Sequence, residues 1–188
     1  MTDYKVILGI LTIAIGLASY SLYFRDIFRG KTKPEAYSWL IWGLLAAIAF
    51  FAQVTEDAGS GAWATAFTAL ICLLISLTAF HRGEGRLGRI DEISILGALV
   101  GVILWYYTHD PLLAIFFVIL IGGLGFVPTF YKVFYKPQEE SVITFALNGL
   151  KFVVAFFALA VINPITGLYP VAMAIMNFSL VVLLVLRR

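Results

Sequence analysis

The residues with chemistry to offer are polar or cationic groups set in very apolar surroundings. Lys151 lies about ten residues from either end of the apolar run 141–162. At 1.5 Å per residue its ammonium is roughly 15 Å from an interface, farther than a lysine stem can reach. It therefore needs a polar partner, a water-filled cavity or an anionic ligand. Asn148 precedes it by three residues, so the two share one helix face. Asn177 falls in the middle of the last apolar run, and Trp39 and Trp42 stand one turn apart in the second. An aromatic face beside an amide suits a polar solute, by stacking and hydrogen bonding. The amides also suit helix–helix adhesion, and Trp39 also suits an interfacial belt; the sequence leaves these readings open. Gln53 and Glu56 read as interfacial, Trp63, Trp105, Tyr106, Tyr107 and Tyr169 as an aromatic belt near the outer ends, and Glu139 and Glu140 as solvated loop or cap charge. The pattern points away from an enzyme. No His, Cys, Asp or Glu grouping has metal-ligand spacing, no carboxylate pair lies in an apolar run, and His81 and His109 fall in separate loops. No cofactor is expected.

The elements that must hold these residues are membrane helices. The chain is 62% hydrophobic and 13% charged, against about 25% charged residues in soluble domains. Apolar runs at about 5–24, 36–54, 62–81, 90–108, 111–131, 141–162 and 166–186 predict an all-α polytopic membrane protein with seven transmembrane helices. The first run lacks a basic leader and cleavage site and reads as a retained span. Cys72 is the only cysteine and lies in an apolar run. Arg25, Arg29, Lys31 and Lys33, then Arg82, Arg86 and Arg89, then Lys132 and Lys136, then Arg187 and Arg188 all fall on one side of a seven-span chain. That asymmetry places the N-terminus outside and the C-terminus in the cytoplasm. A formal charge of +2 gives no case for nucleic acid. The expected partners are the lipid bilayer and a small polar solute. Gly97-x-x-x-Gly101 suits either bundle packing or a homo-oligomer.

The chain also repeats itself. Slid by 106 residues it matches itself without gaps, with Ala49-Phe50-Phe51-Ala52 on Ala155-Phe156-Phe157-Ala158. Gly16, Gly43 and Gly61 fall on Gly122, Gly149 and Gly167. There are 16 identities over residues 13–82, where shared composition gives about 5. Spans one to three thus recur as spans five to seven, with span four as linker. This predicts a 3+1+3 parallel-repeat arrangement: 1–83 as the first triple-helix bundle, 84–110 as the linker and 111–188 as the second bundle. Trp42 and Asn148 are repeat mates, which brings them to matching depths across one path.

In its second copy the chain resembles the SWEET, SemiSWEET and PQ-loop transporter superfamily. The carrying residues are Gly125-Phe126-Val127-Pro128-Thr129-Phe130-Tyr131-Lys132, Ser141, Leu147-Asn148-Gly149-Leu150, Tyr169-Pro170 and Asn177. Thr129 stands where that family has glutamine, and Leu22-Tyr23 stands where the second copy has Pro128-Thr129. The Ser-Trp-Leu-Ile-Trp run is similar to an uncharacterised bacterial branch, which implies a bacterial inner membrane. The resemblance implies a facilitator of a small polar metabolite, a sugar among the candidates, working by alternating access. It implies Trp42, Asn148 and Asn177 as substrate-binding residues and Pro128 as a hinge; Lys151, by its depth in the span, and Trp39, one turn from Trp42, join the candidate substrate-binding set. The alternatives are a non-transporting interaction or receptor-like protein, and a carrier of an anionic or vitamin-like metabolite using Lys151.

Overall fold

A computed structural model describes residues 3–82, 89–108 and 110–188. Arg86, His109 and the boundary at 83/84, with the side chains of Arg82, Asp91 and Trp105 and the surroundings of Gly101, lie outside the described residues. The described residues form seven α-helices and carry no strand: α1 (Asp3–Phe28), α2 (Ala36–Thr55), α3 (Trp63–Arg82), α4 (Arg89–Thr108), α5 (Pro111–Tyr135), α6 (Val142–Ala158) and α7 (Pro164–Arg187).

Local chemistry sets the boundaries. Asp110 accepts from the backbone N–H groups of Leu112 and Leu113, and Pro111 follows it at the first helical position. Ser141 caps α6, and Asn163 and Thr166 form a reciprocal capping box ahead of α7. α6 ends early because Leu159 turns extended, and it has only 17 residues. Five helical segments, covering α1, α2, α3, α5 and α7, are long and apolar enough to cross a membrane, and α6 is apolar but shorter. Large apolar side chains such as Ile7, Leu77, Ile175 and Val185 point outward. These are the marks of a membrane-embedded helical protein.

The helices pack in a definite pattern. α3 lies between α1 and α2, and α7 lies between α5 and α6. α1 packs on α6, α2 packs on α5, and α4 lies mainly on α5. Two smaller contacts join α2 to α7 and α3 to α6. The buried aromatic centre comprises Tyr20, Tyr23, Trp39, Trp42, Phe126, Phe145, Phe152 and Tyr169.

Candidate functional site

A small cavity of about 30 Å³ lies within this aromatic centre. Tyr20 of α1, Trp39 and Trp42 of α2, and Thr68 and Cys72 of α3 line one side. Phe126 of α5, Phe145, Asn148 and Phe152 of α6, and Tyr169, Met173 and Asn177 of α7 line the other. That volume accommodates about one or two waters. Trp42 lies tilted against Phe126 with ring centres 4.5 Å apart and stands edge-on to Trp39 at 5.2 Å. Gly125 makes the first contact possible, since a β-carbon there would lie 2.9 Å from the Trp42 indole nitrogen.

Four of the expected site residues, Trp39, Trp42, Asn148 and Asn177, meet in this lining. Lys151 lies immediately behind it. It is fully buried and does not snorkel to an interface. Its Nζ donates to Thr68 Oγ1 at 2.7 Å and Asn148 Oδ1 at 2.9 Å, and lies 3.2 Å from the Tyr20 hydroxyl. It also sits 4.8 Å from the Tyr20 ring centre and 4.5 Å from that of Phe152. The Asn177 amide nitrogen donates to the Met173 carbonyl one turn back. Pro128 is not in the lining. It sits inside α5, which runs on to Tyr135, two residues beyond the lining residue Phe126.

Sequence reasoning passed over Tyr20, Thr68, Phe126, Phe145, Phe152 and Met173. The repeat carried a signal for some of them: Tyr20 and Phe126, Trp39 and Phe145, and Trp42 and Asn148 are three mate pairs, and all six residues line the cavity. Three positional readings are corrected. Tyr169, expected in an interfacial belt, is buried in the lining. Gln53, expected at an interface, is buried and donates to the Thr166 carbonyl at 2.9 Å. Glu140, expected to be solvated, is buried against Lys132.

Polar contacts flank the cavity toward both helix ends. Toward the Thr55 end of α2, Lys5 Nζ reaches the Leu159 carbonyl at 2.6 Å, and Ser60 donates to the Ala158 carbonyl at 3.2 Å. Asn163 donates to Glu56 at 3.0 Å. Toward the other end, Lys132 pairs with Glu140 at 3.0 Å and also donates to the Lys33 carbonyl. The Tyr23 hydroxyl donates to the second Glu140 oxygen at 3.3 Å. Burial pushes the Glu140 carboxyl above its ordinary value, against the opposing pull of Lys132 and the Tyr23 hydrogen bond.

A larger groove of about 650 Å³ runs between α6 and α7, lined by residues such as Phe156, Phe157, Val171 and Ile175. Its walls are apolar apart from Ser179, whose hydroxyl donates to the Ile175 carbonyl, so it offers little to select a polar solute.

No family model matches this chain, and no curated protein or solved structure matches it.

Proposed function

We propose that this protein is a membrane carrier for a small polar solute, with two triple-helix halves rocking about the central cavity. The observation that carries the reading is the composition of the cavity wall. Three pairs of repeat mates meet there, one member of each pair from either half. Helix contacts follow the same exchange. Adding or subtracting 106 turns α1–α6 into α5–α2, α1–α3 into α5–α7, and α2–α3 into α6–α7. Side-chain detail follows it as well. A β-carbon on Gly16 would meet Phe67 and Lys151, and one on Gly122 would meet Met173 and Leu45, the mates of those two residues. This supports a seven-span, 3+1+3 chain with α4 as linker and an axis along the membrane normal.

In this reading the contacts at the two ends are gates, and the described conformation is occluded. Rocking breaks one set while the other holds. The basic-residue asymmetry sets the Lys132–Glu140 gate and the C-terminus on the cytoplasmic side, in a plasma or bacterial inner membrane. Pro128 removes one backbone hydrogen bond from α5 close to the cavity and is the expected flexing point.

A second reading, a non-transporting membrane protein, draws on the internal bonds of Asn148 and Asn177, which act there as packing contacts. Cys72 separates the two, because the only cysteine of the chain lines the cavity. In proteoliposomes, a membrane-impermeant thiol reagent should label Cys72 from either face, and more slowly while a transported solute is present. A thiol that resists the reagent from both faces, with no flux across a panel of polar metabolites, would sink the carrier.

A further inference from the structure

Within the carrier reading, the chemistry of the cavity wall narrows the solute. Lys151 brings a cationic group into the centre of the bundle, and its oxygen partners are all neutral: a threonine hydroxyl, a phenol and an amide. The ion pairs among the described residues join Arg25 to Asp26, Lys33 to Glu139 and Lys132 to Glu140, and none reaches Lys151. A buried cation without a carboxylate is costly, and a ligand of opposite charge would offset that cost.

Two of the polar groups in front of it offer donors. Lys151 engages Asn148 Oδ1, which leaves the amide N–H groups as what Asn148 has to offer. Across the cavity, Trp42 is 9% exposed and its indole N–H has no hydrogen-bond partner. A buried donor left unpaired is costly, and a ligand acceptor would recover that cost. Most of the remaining wall (Trp39, Phe126, Phe145, Phe152 and Met173) is apolar, and Cys72, Tyr169 and Asn177 complete it. One end of the space thus calls for negative charge and hydrogen-bond acceptors, and the rest for hydrocarbon.

We propose that the solute is a small organic monocarboxylate. Its carboxylate accepts from Trp42 and Asn148 in front of the Lys151 ammonium, and its apolar body lies against Trp39, Phe126 and Phe145. A cavity of about 30 Å³ is smaller than such a molecule, so the halves must part slightly to admit it. The inference rests on the carrier reading for its biological meaning, but the site can be tested alone.

The test is a binding titration of the full chain in detergent, following the fluorescence of the cavity tryptophans, with propionate and its neutral isostere propionamide. Propionate should give a saturable change at concentrations where propionamide gives none. Lys151→Met should weaken propionate binding by about 10-fold or more, as expected for loss of a charge-assisted contact. Trp42→Phe should weaken it by about 3-fold to 10-fold. Equal response to the two probes overturns the proposal, as does a folded Lys151→Met protein with unchanged affinity. Should Lys151→Met fail to fold, the propionate–propionamide difference and Trp42→Phe decide alone. Flux of neutral solutes without propionate preference removes the anion and leaves the carrier. Propionate binding with an unreactive Cys72 and no flux keeps the anion site and removes the carrier.

Discussion

Lys132→Met should destabilise the protein by an amount that depends steeply on pH, because of what it leaves behind. The Lys132 and Glu140 side chains are 6% and 3% exposed, at 3.0 Å from each other. Methionine keeps the stem volume and removes the charge. Glu140 then retains only the Tyr23 hydroxyl as a side-chain donor, in a burial that already pushes its carboxyl upward. The cheapest escape is to take up a proton. Glutamate titrates near 4.3 in water, so neutralising it at pH 7 costs about 3.7 kcal/mol, and at pH 5 about 1 kcal/mol. The orphaned Lys33 carbonyl adds about 1 kcal/mol at either pH. The parent already carries part of this cost, so the expected loss is at most about 4–5 kcal/mol at pH 7, shrinking to at most about 2 kcal/mol at pH 5. Removing both charges in Lys132→Met/Glu140→Ala should recover most of it, since deleting a whole buried pair is often close to neutral. The assay is reversible unfolding in mixed micelles at the two pH values, arranged as a double-mutant cycle. A loss that is the same at both pH values, or single-mutant costs that simply add, would refute the uncompensated carboxylate as its cause.

Three further outcomes follow from the same geometry. In the parent protein Glu140 is held above its ordinary value, so the folded state binds its proton more readily than the unfolded one. Its contribution is present below the unfolded value and is lost as pH rises through the folded one, a slope that Glu140→Gln should abolish in pH-dependent unfolding. Gly61→Ala would set a β-carbon 2.7 Å from the backbone N and Cα of Leu159, atoms that cannot rotate aside. It should cost about 1–3 kcal/mol or more, and a wild-type melting curve would contradict this packing at the Lys5 end. Leu45→Lys puts a second lysine at the repeat mate of Lys151 and should cost several kcal/mol. Adding Phe126→Tyr and Ala174→Thr should restore part of it, and a tolerated single substitution would show that the oxygens around Lys151 are dispensable.

Most of the helical layout was legible because membrane burial leaves long apolar runs, and all seven runs overlap the observed α-helices. The lining was legible only where a residue type is out of place in hydrocarbon. Trp42, Asn148, Lys151 and Asn177 qualify; Phe126, Phe145 and Phe152 do not, since Phe116 and Phe157 look the same in sequence and point outward. Position along a run is a poor guide to face: Gln53 and Tyr169 stand near the ends of their runs yet are buried. The burial of Glu140 depended on a short turn over Pro137–Glu139 that brings it back beside Lys132. The repeat held more than identities. The partners of Lys151 are Tyr20, Thr68 and Asn148, and the mates of these four residues are Leu45, Phe126, Ala174 and Trp42. Every side chain that supplies oxygen to the ammonium has a mate that supplies none. The two copies thus diverge at four positions that meet in space, and that shared departure from symmetry marks the polar end of the cavity more sharply than any one residue does.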